Sequence, residues 1–194
     1  EEENIASYNE AVATKPDHAE IHNNLGVAIQ ELGKLDEADA SYNKAIAIKP
    51  DYAEAHSNLG VSLQKLGKLD EAVTSHHKAL AINPDYAEAH SNLGSALREL
   101  GRLDEAVASY HKAIANKPDY AQAHYNLGVA LQKLGKLDEA VASYNKAIAL
   151  NPDLAVAHYN LGVLLRRQGF LNEAVESYLR AATIQPEYVE AHYN

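Results

Sequence analysis

The chain has no cysteine, no methionine, no tryptophan and a single phenylalanine in 194 residues. Without cysteine there is no disulfide, no thiol nucleophile and no thiolate metal site. Without methionine the chain does not open at a start codon, so it reads as a piece of something longer. No apolar run approaches the roughly 18 residues that a membrane span needs. Nor does an apolar leader precede the first glutamate, so a cytoplasmic protein with no membrane partner is expected. Basic residues are outnumbered, 17 Lys and Arg against 27 Asp and Glu, for a net charge of −10. Phosphate backbones need a basic stripe, so no nucleic-acid partner is expected. What remains is enough apolar surface to fold, 46% of the residues.

Glycine and proline are few, and they are confined to three columns. A shift of 34 residues aligns Gly26, Gly60, Gly94, Gly128 and Gly162, then Gly33, Gly67, Gly101, Gly135 and Gly169. Pro16, Pro50, Pro84, Pro118, Pro152 and Pro186 make the third column, and no glycine or proline falls elsewhere. A fixed period of this length marks a repeat array.

Each unit reads as two helices. Asp51 and Glu54, just after Pro50, have the spacing of a capping box. Leu59, Leu63 and Leu66 then mark an apolar face at helical spacing. Gly67 turns the chain, Asp70 is expected to cap the second helix, and Ala72, Val73, His76, Ala79 and Leu80 give its inner face. Asn83-Pro84-Asp85 stops it. The Gly60 column and the Ala column (Ala38, Ala72, Ala106, Ala140, Ala174) are small, which predicts helices approaching closely with no side chain between them.

Together, the 34-residue period, N-L-G, an L-G before a turn, D-E-A opening the second helix, S-Y-x-K-A and a closing P-D-Y resemble tetratricopeptide repeats. The wording "AEAHSNLG…LDEAVASY" is similar to the arrays of protein O-GlcNAc transferases and to idealised consensus repeats. The resemblance implies an all-α solenoid of stacked helix-turn-helix repeats, forming a right-handed superhelix whose first helices line a concave groove. It divides 1–194 into one array. Residues 1–18 are the second helix of a truncated repeat, and 19–52, 53–86, 87–120, 121–154 and 155–188 are full repeats. Residues 189–194 begin another. One departure is the column that usually holds Trp or Tyr, here His22, His56, His90, His124, His158 and His192, which is expected to thin the packing.

Along each first helix, Glu54, Ser57/Asn58, Val61, Gln64/Lys65 and Lys68 fall at three- and four-residue steps, a stripe away from the Leu face. Neighbouring first helices should lie ~10 Å apart. Asn24, Asn58, Asn92, Asn126, Asn160 and Asn194 would then form a ladder, one rung for about every third residue of an extended peptide rising ~3.3 Å per residue. A carboxamide both donates and accepts, so it can pair with peptide backbone whatever the side chains are. In the O-GlcNAc transferases that this stretch resembles, such a ladder holds substrate backbone. Alternatively, the Asn bonds to the preceding repeat's loop, or is retained from duplication. Other columns taken as outward have drifted (Gln30, Gln64, Arg98, Gln132, Arg166), so duplication alone does not explain an undrifted Asn.

The His column has no metal-site spacing: three and four residues either side of His56 lie Ala53, Tyr52, Leu59 and Gly60, none a usual zinc ligand. Catalysis needs unlike residues converging on one spot, whereas here nearly every polar residue recurs. No enzyme activity, cofactor or metal is therefore expected. Tyr8, Tyr42, Tyr110, Tyr144 and Tyr178 have core spacing.

Specificity belongs to what does not repeat. The row before the Asn ladder reads Asn23, Ser57, Ser91, Tyr125, Tyr159, Tyr193, turning aromatic halfway, and Tyr suits a binding groove. The alternative is ordinary surface drift. Glu20, Glu54 and Glu88 give way to Gln122 and Val156, and Arg166 and Arg167 appear late. The groove should pass from acidic and polar to aromatic and basic. Some tetratricopeptide domains clamp a terminal carboxylate with Lys beside such an Asn; Ser, Asn or Tyr stands there, so no clamp is expected.

Two further expectations concern single places. Asn116 replaces an apolar residue (Ile48, Ile82, Leu150, Ile184), so either the site is open to water or the amide has a backbone partner. At the chain's start, Ile5, Tyr8 and Val12 lie on one face of a second helix that lacks its partner. Weak head-to-tail self-association through truncated ends follows. The reading is a non-catalytic scaffold for a protein or extended peptide, the alternative a scaffold that stacks end to end.

Overall fold

The computed structural model describes residues 2–186, and they fall into two compact units that divide at Gly101. The first holds α1 (Glu2–Thr14), α2 (Ala19–Glu31), α3 (Leu35–Ile48), α4 (Ala53–Lys65), α5 (Leu69–Ile82) and α6 (Ala87–Glu99). The second holds α7 (Leu103–Asn116), α8 (Ala121–Lys133), α9 (Leu137–Leu150), α10 (Ala155–Gln168) and α11 (Leu171–Ile184). No strand occurs among the described residues. In the first unit, α2 pairs with α3 and α4 with α5, each pair packs on the next helix in the chain, and α4 also touches α2 and α6. In the second, α8 pairs with α9 and α10 with α11 in the same way. The fold is all-α, built of successive helix hairpins.

Two backbone devices make each hairpin. Gly67 takes φ +75°, a left-handed conformation that side-chain-bearing residues resist. The Lys68 N–H then reaches the Leu63 carbonyl at 2.9 Å and the Gly67 N–H the Gln64 carbonyl at 2.9 Å. This paired closure satisfies carbonyls that a helix end otherwise leaves bare. The same closure follows Gly135, where Lys136 reaches Leu131 and Gly135 reaches Gln132. At the other end of α5, Asn83 is held extended before Pro84, as the pyrrolidine ring requires.

The helix starts differ from expectation. Tyr52, not Asp51, is the N-cap of α4, and it makes no side-chain capping bond. Asp70 lies inside the first turn of α5, whose N-cap is Lys68. There Asp70 and Glu71 oppose the positive end of the helix dipole instead of capping an N–H, a weaker effect of roughly 0.3–1 kcal/mol each.

The core is mostly alanine and leucine: Ala38, Ala72, Ala106 and Ala140 are completely buried, with Leu59, Leu63, Leu127 and Leu131 nearly so. The glycine column serves a purpose other than bare helix contact. A Cβ on Gly60 would stand 2.6 Å from Cε1 of His76, and one on Gly128 would stand 2.7 Å from Cε1 of Tyr144. Each such glycine is a slot for a ring carried by the second helix, so a side chain does lie between the helices.

Candidate functional site

Around each slot the ring decides where polar groups go. The Tyr42 hydroxyl donates to Gln30 Oε1 at 3.2 Å, and the Tyr144 hydroxyl to Gln132 Oε1 at 2.8 Å. Those glutamines, expected to face outward, are half-buried partners inside their hairpins. Burial pushes the Tyr42 phenol up, with Asp39 and Glu31 adding to it. His76 stands at the same position in α5, completely buried, and neither ring nitrogen has a partner. Burial, then the neighbouring His77, pushes its imidazole down to about 4. Gln64, left without a phenol, donates to Glu99 Oε1 at 2.6 Å instead.

The row before the Asn ladder is not on the outer stripe in the first unit. Asn23, Ser57 and Ser91 are buried, which corrects the expectation for Ser57. In the second unit Tyr125 and Tyr159 are half-buried. Tyr125 leans on Tyr144, ring centroids 5.8 Å apart, and Tyr159 on Tyr178 at 5.6 Å. These rings extend the aromatic slot of their own hairpins and show only part of themselves to solvent.

The ladder asparagines sit on the first helices with unequal exposure: Asn24 is exposed, while Asn58, Asn92, Asn126 and Asn160 are half-buried. Asn58 Nδ2 donates to Asn23 Oδ1 at 3.0 Å, and Asn160 Nδ2 donates to the Tyr125 hydroxyl at 3.1 Å. Both bonds run to the first helix of the preceding repeat, not to its loop. Asn126 Oδ1 accepts from Gln122 at 3.2 Å, and Asn24 Oδ1 from Asn23 at 3.5 Å. Arg166 is exposed in the last turn of α10. Asn194 and Tyr193 lie outside the described residues.

Acid and aromatic groups gather at the starts of α2 and α4. Burial first, then the carboxylates of Glu54 and Glu20, push the Tyr52 phenol up to about 12, and Lys49 Nζ lies 5.0 Å from the Tyr52 ring centroid. In α8 and α10 the corresponding first-turn positions hold no acid.

The histidine column has a role that the residue types alone did not reveal. Nε2 of His22, His56, His90, His124 and His158 lies 2.8–3.0 Å from the carbonyl oxygen of the proline six residues earlier. A carbonyl only accepts, so Nε2 carries the proton, and each ring pins its first helix to the loop before it. The constant six-residue step from Pro to His was the legible signal. No group of three metal-ligating side chains occurs among the described residues, and no described helix is long and apolar enough to cross a membrane.

A family profile described as TPR repeat matches residues 2–33, 31–67, 64–97, 94–135 and 130–169, and one described as tetratricopeptide repeat matches 155–188. No curated protein matches the chain, so the likeness to O-GlcNAc transferase arrays rests on repeat wording alone. The crystal structure of MamA is 27% identical, with a TM-score of 0.75 over 86% of this chain and 97% of that one. TTC0263, a thermophilic TPR protein of Thermus thermophilus, is 27% identical, with a TM-score of 0.74 over 90% and 96%. YrrB, described as a TPR protein with an unusual peptide-binding site, is 24% identical, with a TM-score of 0.71 over 96% of each chain, a likeness of fold alone. Period, hairpins, slots and family profiles agree along the sequence: the chain belongs to the tetratricopeptide repeat family.

Proposed function

We propose that this chain is a cytoplasmic, non-catalytic docking array whose first helices hold an extended polypeptide through the Asn row. The cross-repeat bonds of Asn58 and Asn160 carry the reading. Each uses one N–H to brace the amide against the preceding repeat. That leaves the carbonyl oxygen and a second N–H of a half-buried, oriented carboxamide for a peptide's own N–H and C=O. Bracing lowers the entropy lost when a ligand binds. Tyr125 and Tyr159 add partly exposed ring edges beside the row, and Arg166 a cation near its end. The exposed Glu20 and Glu54 of the first unit favour basic residues there.

The test is the double variant Asn126→Ala/Asn160→Ala against a panel of unrelated peptides. Binding should weaken alike across the panel, by roughly 0.5–1.5 kcal/mol per lost bond. Tyr159→Ala should instead change the order of preference among peptides. Unaltered affinities in the double variant, with helicity intact by circular dichroism, would refute the reading.

A second reading, end-to-end stacking of copies, is favoured by one observation. Phe170, Leu171, Val175 and Leu179 are each more than half exposed along α11, whereas Ile5, Tyr8 and Val12 of α1 are only half-exposed. Light scattering decides it: mass should rise with concentration, and Val175→Glu/Leu179→Glu should hold the chain monomeric.

A further inference from the structure

Between α3 and α5, above α4, two residues break the repeat together. Asp39 occupies the column of Val73, Val107, Val141 and Val175, and Ser62 the column of Ala28, Ala96, Ala130 and Leu164. Ser62 is completely buried. Its hydroxyl donates to the Leu35 carbonyl at 3.4 Å and lies beside the Asp39 carboxylate, so its single proton can turn to either acceptor. Oδ1 of Asp39 is closed off from solvent and has no hydrogen-bond partner, and the Ser62 hydroxyl favours its ionised form. The rest of the half-exposed side chain borders a pocket of about 480 Å³ that Asp36, Asn43, Lys68, Glu71, Ser75 and Lys78 also line.

The second unit supplies the control. A pocket of about 460 Å³ occupies a similar place between α9 and α11, lined by Ile148, Leu161 and Leu179 but also by Asn145, Ser177 and the Glu176 and Arg180 charges, with no acid in the column of Asp39. There the two columns read Val141 and Leu164, as apolar as the hairpin interface demands. Exchanging such a pair for a carboxylate and a hydroxyl costs stability unless the polar groups are used. The Asp39 carboxyl is pushed up, by burial above all; Ser62 and Lys68 pull it back, while Asp36 and Glu71 push it further. The carboxylate therefore lacks a sufficient positive partner. No ion pair ties Lys68 or Lys78 to it, and no metal-holding group is present among the described residues.

We propose that this pocket receives the guanidinium of an arginine side chain from a partner polypeptide, with Asp39 as its acceptor and Ser62 as the positioning residue. A guanidinium is planar, weakly hydrated and rich in donors, so it can meet a partly buried carboxylate and still bond to Asn43 or Glu71. A compact, strongly hydrated ammonium would lose more water on entry. The acceptor and most of the pocket lie on the second helices α3 and α5, with Ser62 reaching in from α4, and the site does not depend on peptide binding at the Asn row.

Titration of the full chain with acetyl-arginine amide, followed by backbone-amide NMR shifts, tests the assignment. Saturable shifts are expected at Asp39, Asn43 and Ser75, and not at Asn145 or Ser177. Acetyl-citrulline amide, neutral and nearly the same shape, should give none, and acetyl-lysine amide should bind more weakly. Asp39→Asn should weaken the arginine probe by about tenfold or more, the value of a charge-assisted bond. Ser62→Ala should weaken it less, with the carboxylate retained. Asp39→Val/Ser62→Ala, which restores the residues used by the other repeats, should fold at least as stably and abolish binding. Equal binding of arginine and citrulline, equal or tighter binding of lysine, or undiminished affinity in Asp39→Asn would each overturn the proposal.

Discussion

The α4–α5 and α8–α9 hairpins share the same turn, the same glycine slot and nearly the same sequence, yet differ in the ring that fills the slot. Tyr144 fills its slot and anchors its hydroxyl on Gln132; His76 fills the corresponding slot with no partner at all. One substitution therefore changes more than ring volume. In α4 it releases Gln64 toward Glu99, and it leaves a buried base where a neutral phenol would serve. A repeat array makes such a difference readable, because the other copies show what the site holds when its polar groups are satisfied.

Acid is the sharpest way to break the comparison. The folded imidazole of His76 titrates near 4, against an ordinary 6.5, so the folded state favours the neutral ring. Stability from this site is complete above pH 6.5 and is lost as pH falls from 6.5 toward 4, on the order of 3 kcal/mol in all. Urea midpoints measured across that window should fall, and His76→Tyr should remove most of the slope. An unchanged slope in the variant would mean that other groups set the acid limit.

Filling the slots comes next. Gly128→Ala forces a methyl against a ring tethered by its hydroxyl, and overpacking of this kind costs roughly 1–3 kcal/mol. Gly60→Ala meets an imidazole that no hydrogen bond holds in place, and in both variants alanine's helix propensity returns up to about 1 kcal/mol. Thermal unfolding should therefore show the larger loss in Gly128→Ala. Equal losses would show that the tether is irrelevant.

Removing only the tether has a smaller effect. Tyr144→Phe should cost about 1 kcal/mol, the usual net value of a hydrogen bond. The smallest effect belongs to Asn116, which is exposed at the end of α7. The corresponding Ile48 and Ile82 are themselves 37% exposed, so Asn116 occupies an edge open to water. Asn116→Ile should change stability by no more than about 0.5 kcal/mol; a larger gain would reveal an apolar contact there.

The hairpins and their turns were legible because their causes are local. Gly67 and Pro84 act within a few residues, and the Leu59–Leu63 spacing speaks for a single helix face. Helix starts were read wrongly because an acid near a proline suits both a cap and a first turn, and only the backbone angles at Tyr52 and Lys68 distinguish them. Ser57 was misplaced for another reason. It lies at the edge of the stripe, where a small side chain is covered, as Asn23 and Ser91 also are, while the larger Tyr125 and Tyr159 reach partly into solvent.

Length, period and composition by themselves determined a stack of helix pairs, with glycine at each turn and at each crowded crossing, since those demands arise between residues close in the chain. Only the tertiary structure decided how the polar side chains are used. Gln132 serves a phenol twelve residues away, Asn58 is braced by a residue thirty-five positions earlier, and Ser62 reaches the Leu35 carbonyl of the preceding hairpin. Such bonds form where packing brings a donor within about 3 Å of an acceptor, and no periodicity along the chain encodes that distance.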